Sequence, residues 1–135
     1  MSGELLKKYM GRGGENDVDG AAGTDESEDF VVFGWLRGAR ERAVSLELRR
    51  RTGNILAIGY GWIERLEFNP SEGIILHCGK QTIKVKGRNL NGDMRPQVRL
   101  FEGICRHRVP FIAEADQAAI LQAGKNAIII ESIEW

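Results

Sequence analysis

Apolar and polar positions alternate over residues 43–49, with Val44, Leu46 and Leu48 on one side and Ser45, Glu47 and Arg49 on the other. That period of two predicts a half-buried strand. Thr52-Gly53-Asn54 follows as a tight turn, because Gly and Asn tolerate positive φ. Residues 55–68 are too long for one flat strand, and their first half is apolar on both faces. Gly59 and Gly61 leave a gap on one face, the mark of a bulge or sharp bend. The expectation is a strand that starts in one sheet and finishes in another. Asn69-Pro70-Ser71-Glu72-Gly73 reads as a turn: Pro fixes φ, Asn bonds its own backbone and Gly closes. A short strand over residues 74–78 and a Gly79-Lys80 turn come next. Residues 81–88 then alternate again, with Ile83 and Val85 inward and Thr82, Lys84, Lys86 and Arg88 outward.

The period changes after residue 89. Arg95-Pro96 opens a segment in which Val98, Phe101, Ile104 and Cys105 recur at helical spacing, with Pro96 in the first turn and Pro110 beyond the end. Residues 111–115 suit a short strand or the start of another helix. Asp116 is a good N-cap for a helix over residues 117–123, stopped by Gly124. Residues 127–135 are β-branched and predict a closing strand, with Ile133 and Trp135 on one face and Glu131 as their in-phase exception. An apolar last strand needs cover, either by pairing with the first strands or by joining a neighbouring subunit. Together these elements predict a mainly β (β-rich α+β) fold: a small, strongly bent antiparallel barrel or roll of five to six strands, with one or two short helices before the last strand.

Length and charge add a division. A chain of 135 residues suits a single domain. Residues 1–29 hold three basic residues (Lys7, Lys8, Arg12) against eight acidic ones, a balance of −5, and residues 30–135 hold sixteen against eleven, or +5. Residues 13–29 are mostly Gly, Asp, Glu, Ala, Ser and Asn, with Val18 as their large aliphatic residue. Such a composition does not offset the ordering entropy of about 1–2 kcal/mol per residue. A disordered acidic tail over residues 1–29 is expected, either a solubilising arm or a mimic of an acidic ligand. One compact domain over residues 30–135 then begins at the cluster Phe30, Val31, Val32, Phe33, Trp35 and Leu36. Two cysteines, no signal-like apolar region and no membrane-length run point to a cytoplasmic protein with reduced thiols.

Candidate chemistry is sparse. Between residues 80 and 108 stand eight basic residues against Asp93 and Glu102. A polyanion site is expected at Lys84, Lys86, Arg88, Arg95, Arg99, Arg106 and Arg108, provided strand and helix present them on one side. Arg49-Arg50-Arg51 at a hairpin tip reads either as a solvated loop or as a phosphate contact. His77-Cys78 and Cys105-x-His107 have the residue types of a zinc site, but adjacent strand residues face opposite ways. No metal, cofactor or catalytic residue is assigned, because Cys105 and His107 lack an orienting third group. Gly59-Tyr60-Gly61 lacks the pattern of a phosphate loop.

Two family patterns bear on this. Asn69-x-Ser71-x-Gly73 is one residue short of the Asp/Asn-x-Ser-x-x-Gly motif of PilZ domains, and Glu41 stands where their upstream Arg-x-x-x-Arg needs a second arginine after Arg37. The order of bent strands with a central glycine is similar in shape to an Sm-like barrel, without the RNA-pocket residues of that family. The sequence thus supports a non-enzymatic binding module whose basic strand–helix face meets nucleic acid or an acidic protein surface. The alternative is a protein-interaction or self-assembling domain, a homo-oligomer through its C-terminal strand or a docking surface at residues 30–36.

Overall fold

A computed structural model describes residues 27–135. The expected tail falls outside the described residues except at Ser27–Asp29, which form a short strand, β1, rather than its end. The chain divides into two units, residues 1–28 with 37–39 and residues 29–36 with 40–135. The second carries the core and is described below.

The predicted hairpin forms. β3 (Ser45–Arg49) and β4 (Ile55–Gly59) pair antiparallel from Ser45 opposite Gly59 to Arg49 opposite Ile55. Gly53 takes the positive φ of the turn at 98°. Leu46 and Leu48 are fully buried, but Val44 is exposed. The strand begins only at Ser45, so Val44 lies before the pleat that was expected to turn it inward.

The expected passage between sheets also occurs, by a different device. β4 ends at Gly59, residues Tyr60–Trp62 form a 3₁₀ turn closed by Ile63 N–H to Tyr60 O at 3.2 Å, and β5 (Arg65–Asn69) lies in another sheet. Asn69 then accepts from the backbone N–H of Ser71 at 2.8 Å, and Gly73 takes φ 96°, as the turn chemistry requires. β6 (Gly73–Cys78) and β7 (Gln81–Arg88) continue the meander, with Ile74, Leu76, Ile83 and Val85 buried.

The segment after β7 departs from expectation. β8 (Asp93–Arg95) and β9 (Val98–Arg99) form a two-stranded ribbon, with Gln97 at φ 68° in the bend after Pro96. Proline therefore serves a turn here, not a helix start. The helix α1 spans only Leu100–Cys105; it buries Leu100 and Ile104 and leaves Cys105 exposed. β2 (Gly34–Leu36) packs Trp35 against α1, with the indole Cζ3 lying 2.4 Å from the place a Gly103 Cβ would occupy.

β10 (Phe111–Ala113) pairs with β3 in parallel, so the sheet that holds them is not purely antiparallel. Asp116 caps α2 (Gln117–Gln122) as expected, accepting from Ala119 N–H at 2.7 Å. The last strand, β11 (Ile129–Glu134), pairs with β7 and with none of the first strands among the described residues. Its register shifts between Ile130 and Ser132. That irregularity changes the phase of the strand, so Ile128, Ile130 and Ile133 are buried together and Glu131 falls outside.

The result is mainly β: a three-stranded sheet ordered β10–β3–β4 and a four-stranded sheet ordered β11–β7–β6–β5. Neither sheet closes on itself among the described residues, so of the expected barrel or roll it is the mainly β character that is met. The inner faces of both sheets and α1 contribute to one hydrophobic cluster.

Candidate interaction edge

The seven basic residues singled out by sequence occupy three places. Lys84, Lys86 and Arg88 share the outward face of β7, Arg95 and Arg99 lie on the β8–β9 ribbon, and Arg106 and Arg108 follow α1. Carboxylates meet four of them. Lys86 Nζ is 3.3 Å from Glu134, Arg88 Nε is 3.0 Å from Glu131, and Arg106 is 3.0 Å from Glu102. Arg99 pairs with Asp93. Arg95 and Arg108 lie over the rings of Phe30 and Trp35, at 5.7 and 5.6 Å. Lys84 stands opposite Glu134 in the ladder. The acids on β11 lie outside the sequence window that made residues 80–108 look strongly basic.

The arginines of the triplet are engaged by the chain's own groups. Arg49 stacks on Phe111 at 3.9 Å and pairs with Glu47. Arg50 lies 3.6 Å from the centre of the Trp135 ring and donates to Ile133 O at 3.2 Å. Arg51 donates to Glu131 O at 2.9 Å and to Ala115 O. Glu114 completes the set, accepting from Arg51 N–H at 3.0 Å and from Ile133 N–H at 2.7 Å. Ala115 N–H donates to Ile130 O at 2.8 Å. The outer edge of the C-terminal strand is thereby covered by the chain's own groups, and the expected docking surface at residues 128–135 is used internally. Of residues 30–36, Val32, Phe33 and Trp35 are buried and Val31 is exposed.

The histidines and cysteines do not converge. His77 Nε2 meets Glu67 at 3.1 Å, which holds that carboxyl below its usual range. Burial, aided by Glu64, pushes the Cys78 thiol up, and burial with Glu102 does so at Cys105. His107 stacks on Tyr60 at 4.3 Å. The Tyr60 hydroxyl donates to Val109 O at 2.6 Å, and its burial outweighs that bond and pushes its pKa up. No group of three or more potential metal ligands forms among the described residues. A cleft of about 280 Å³ opens beside Phe68, Pro70, Leu90 and Asn91, and no ionisable side chain lines it.

What remains is the β4 edge. Tyr60 N–H donates to Val44 O and Arg50 N–H to Asn54 O, both at 2.9 Å, which fixes the phase of the β3–β4 ladder. By alternation, Leu56 and Ile58 bond inward to β3, and Ile55, Ala57 and Gly59 turn their N–H and C=O groups outward. No described strand pairs there. The exposed side chains are apolar too: Ile55 is 59 % and Trp62 73 % exposed. Gly59 makes room for that tryptophan, whose Cδ1 lies 3.2 Å from the place a Gly59 Cβ would occupy. By sequence alone these residues read as bending architecture. Their signal was the uncharged run of residues 54–63. No described helix is long and apolar enough to cross a membrane. Comparison with protein-family models, curated proteins and solved structures gives no match.

Proposed function

We propose that the protein is a non-enzymatic interaction module that takes an extended segment of a partner protein as an added strand along Ile55–Gly59. The observation that carries this is a contrast between edges. An open strand edge invites pairing, and folded proteins blunt it with charge, proline or cover. The β11 edge is covered by Arg50, Arg51 and Glu114. The β5 edge carries Arg65 and Glu67 and ends beside Pro70. The β4 edge has no charge and no proline, and it is flanked by an exposed Trp62. In strand addition the backbone supplies affinity and alternate side chains supply selectivity; Trp62 and Ile55 would provide the second.

This reading is favoured over polyanion binding by the β7 face. Two of its three cations already face carboxylates of β11, so the local charge available to a phosphate backbone is small. A displayed library of extended peptides, selected on the full chain, tests the proposal. The expected binders have apolar, uncharged alternate positions and lose binding to an Ala57→Pro variant, which lacks the outward N–H. Equal binding to that variant, or no selected peptide, would sink the reading.

A further inference from the structure

We infer that the segment added to this edge is β4 of a second copy of the chain, paired antiparallel about a two-fold axis at Ala57. The inference rests on the strand-addition reading and names its occupant. The outward-facing residues are Ile55, Ala57 and Gly59, spaced evenly about Ala57. An axis there sets Ala57 against Ala57 and Ile55 against Gly59, each pair exchanging both backbone bonds. No outward N–H or C=O of the strand is left over.

Side chains favour the same register. Opposed residues in an antiparallel pair project from the same face. Ile55 of one copy is then placed over Gly59 of the other, a position with no side chain of its own. The indole of Trp62 stands beside that position, its Cδ1 3.2 Å from where a Gly59 Cβ would be. The two exposed apolar side chains at opposite ends of the strand, Ile55 and Trp62, are thus brought together twice by one symmetry operation. Charge agrees as well. Residues 54–63 contain no ionisable carboxylate, ammonium or guanidinium, so self-pairing opposes no like charges. A short strand pair buries less than the roughly 800 Å² per partner of a standard interface. The dimer is accordingly weak, in the range of about 10 μM to 1 mM.

Sedimentation velocity of the full chain across that range tests the pairing. The expected result is a mass that rises toward the dimer with concentration. Ala57→Lys and Ala57→Glu each place like charges against each other at the axis, and each is expected to weaken association by up to about fivefold. An equimolar mixture of the two variants is expected to restore it, because the axis then opposes Lys to Glu. Far-UV circular dichroism of each variant guards against simple unfolding. A mass independent of concentration, or a dimer that neither variant weakens, overturns the inference. So does a mixture that stays monomeric while both variants remain folded. If the chain stays monomeric but selected peptides still depend on Ala57, the second copy is the wrong occupant and the edge reading stands. If peptide binding is also lost, both fall.

Discussion

Gly103 shows two residue-level effects in opposition. Within α1 a glycine is unfavourable relative to alanine by about 1 kcal/mol, which alone would make Gly103→Ala stabilising. A Cβ there would lie 2.4 Å from Trp35 Cζ3 and 2.9 Å from Val109 Cγ2. The indole has little room to retreat, because Phe33 meets it edge-on at 6.5 Å and Arg108 lies over it at 5.6 Å. Overpacking a filled site costs about 1–3 kcal/mol. The clash wins, and Gly103→Ala is expected to lower stability by about 1 kcal/mol in urea unfolding, with Trp35 fluorescence shifted; an increase in stability would contradict the packing. The glycine was visible in the sequence only as a flaw in a helix. Its partner, Trp35, lies 68 positions upstream, and no local pattern connects the two.

Among the elements, β11 depends most on contacts distant in sequence. Its inner partner is β7, but its outer edge is held by the β3–β4 hairpin tip and by Glu114. Glu114 joins two amides, that of Arg51 and that of Ile133. Removing a hydrogen-bond acceptor from a partly buried amide destabilises by about 1–3 kcal/mol, less where water can replace it. Glu114→Ala is therefore expected to cost about 1 kcal/mol. Its more specific signature is faster amide hydrogen exchange at Ile133 and Arg51, with the central Ile83 moved far less. Unchanged protection at Ile133 would show that the carboxylate is not holding the strand. The turns and the strand identities were legible in advance, because Gly53, Asn69, Gly73 and Gly79 carry their own conformational reasons. The partner of β11 was not, since strand pairing is set by the whole core. Nor was the proposed edge. An uncharged run from 54 to 63 reads equally as a buried strand, and only the fold shows which of its residues face outward.

At the scale of the whole second unit, two sheets and a six-residue helix share one core. Leu46, Leu48 and Ile112 of the three-stranded sheet belong to the same buried cluster as Ile74, Ile83 and Ile130 of the four-stranded sheet, with Leu100 and Ile104 of α1 among them. Among the described residues neither sheet has another layer to bury its apolar face, so neither gains by surviving alone. The connections strengthen this. β3 and β10 are paired in parallel, yet the meander β5–β6–β7 and α1 all lie between them in sequence. Opening the four-stranded sheet would thus release the chain that joins the two strands of the other. Cooperative, two-state unfolding is the expected outcome. The three tryptophans provide the check, for Trp35 is buried beside α1, Trp62 is exposed at the β4–β5 turn, and Trp135 lies under Arg50. Variants that each retain a single tryptophan should give urea midpoints coincident with that of the far-UV circular dichroism measured on the same variant. A Trp135 signal that changes well before the dichroism would instead mean that β11 detaches first, and that Arg50 and Arg51 hold an element with a stability of its own.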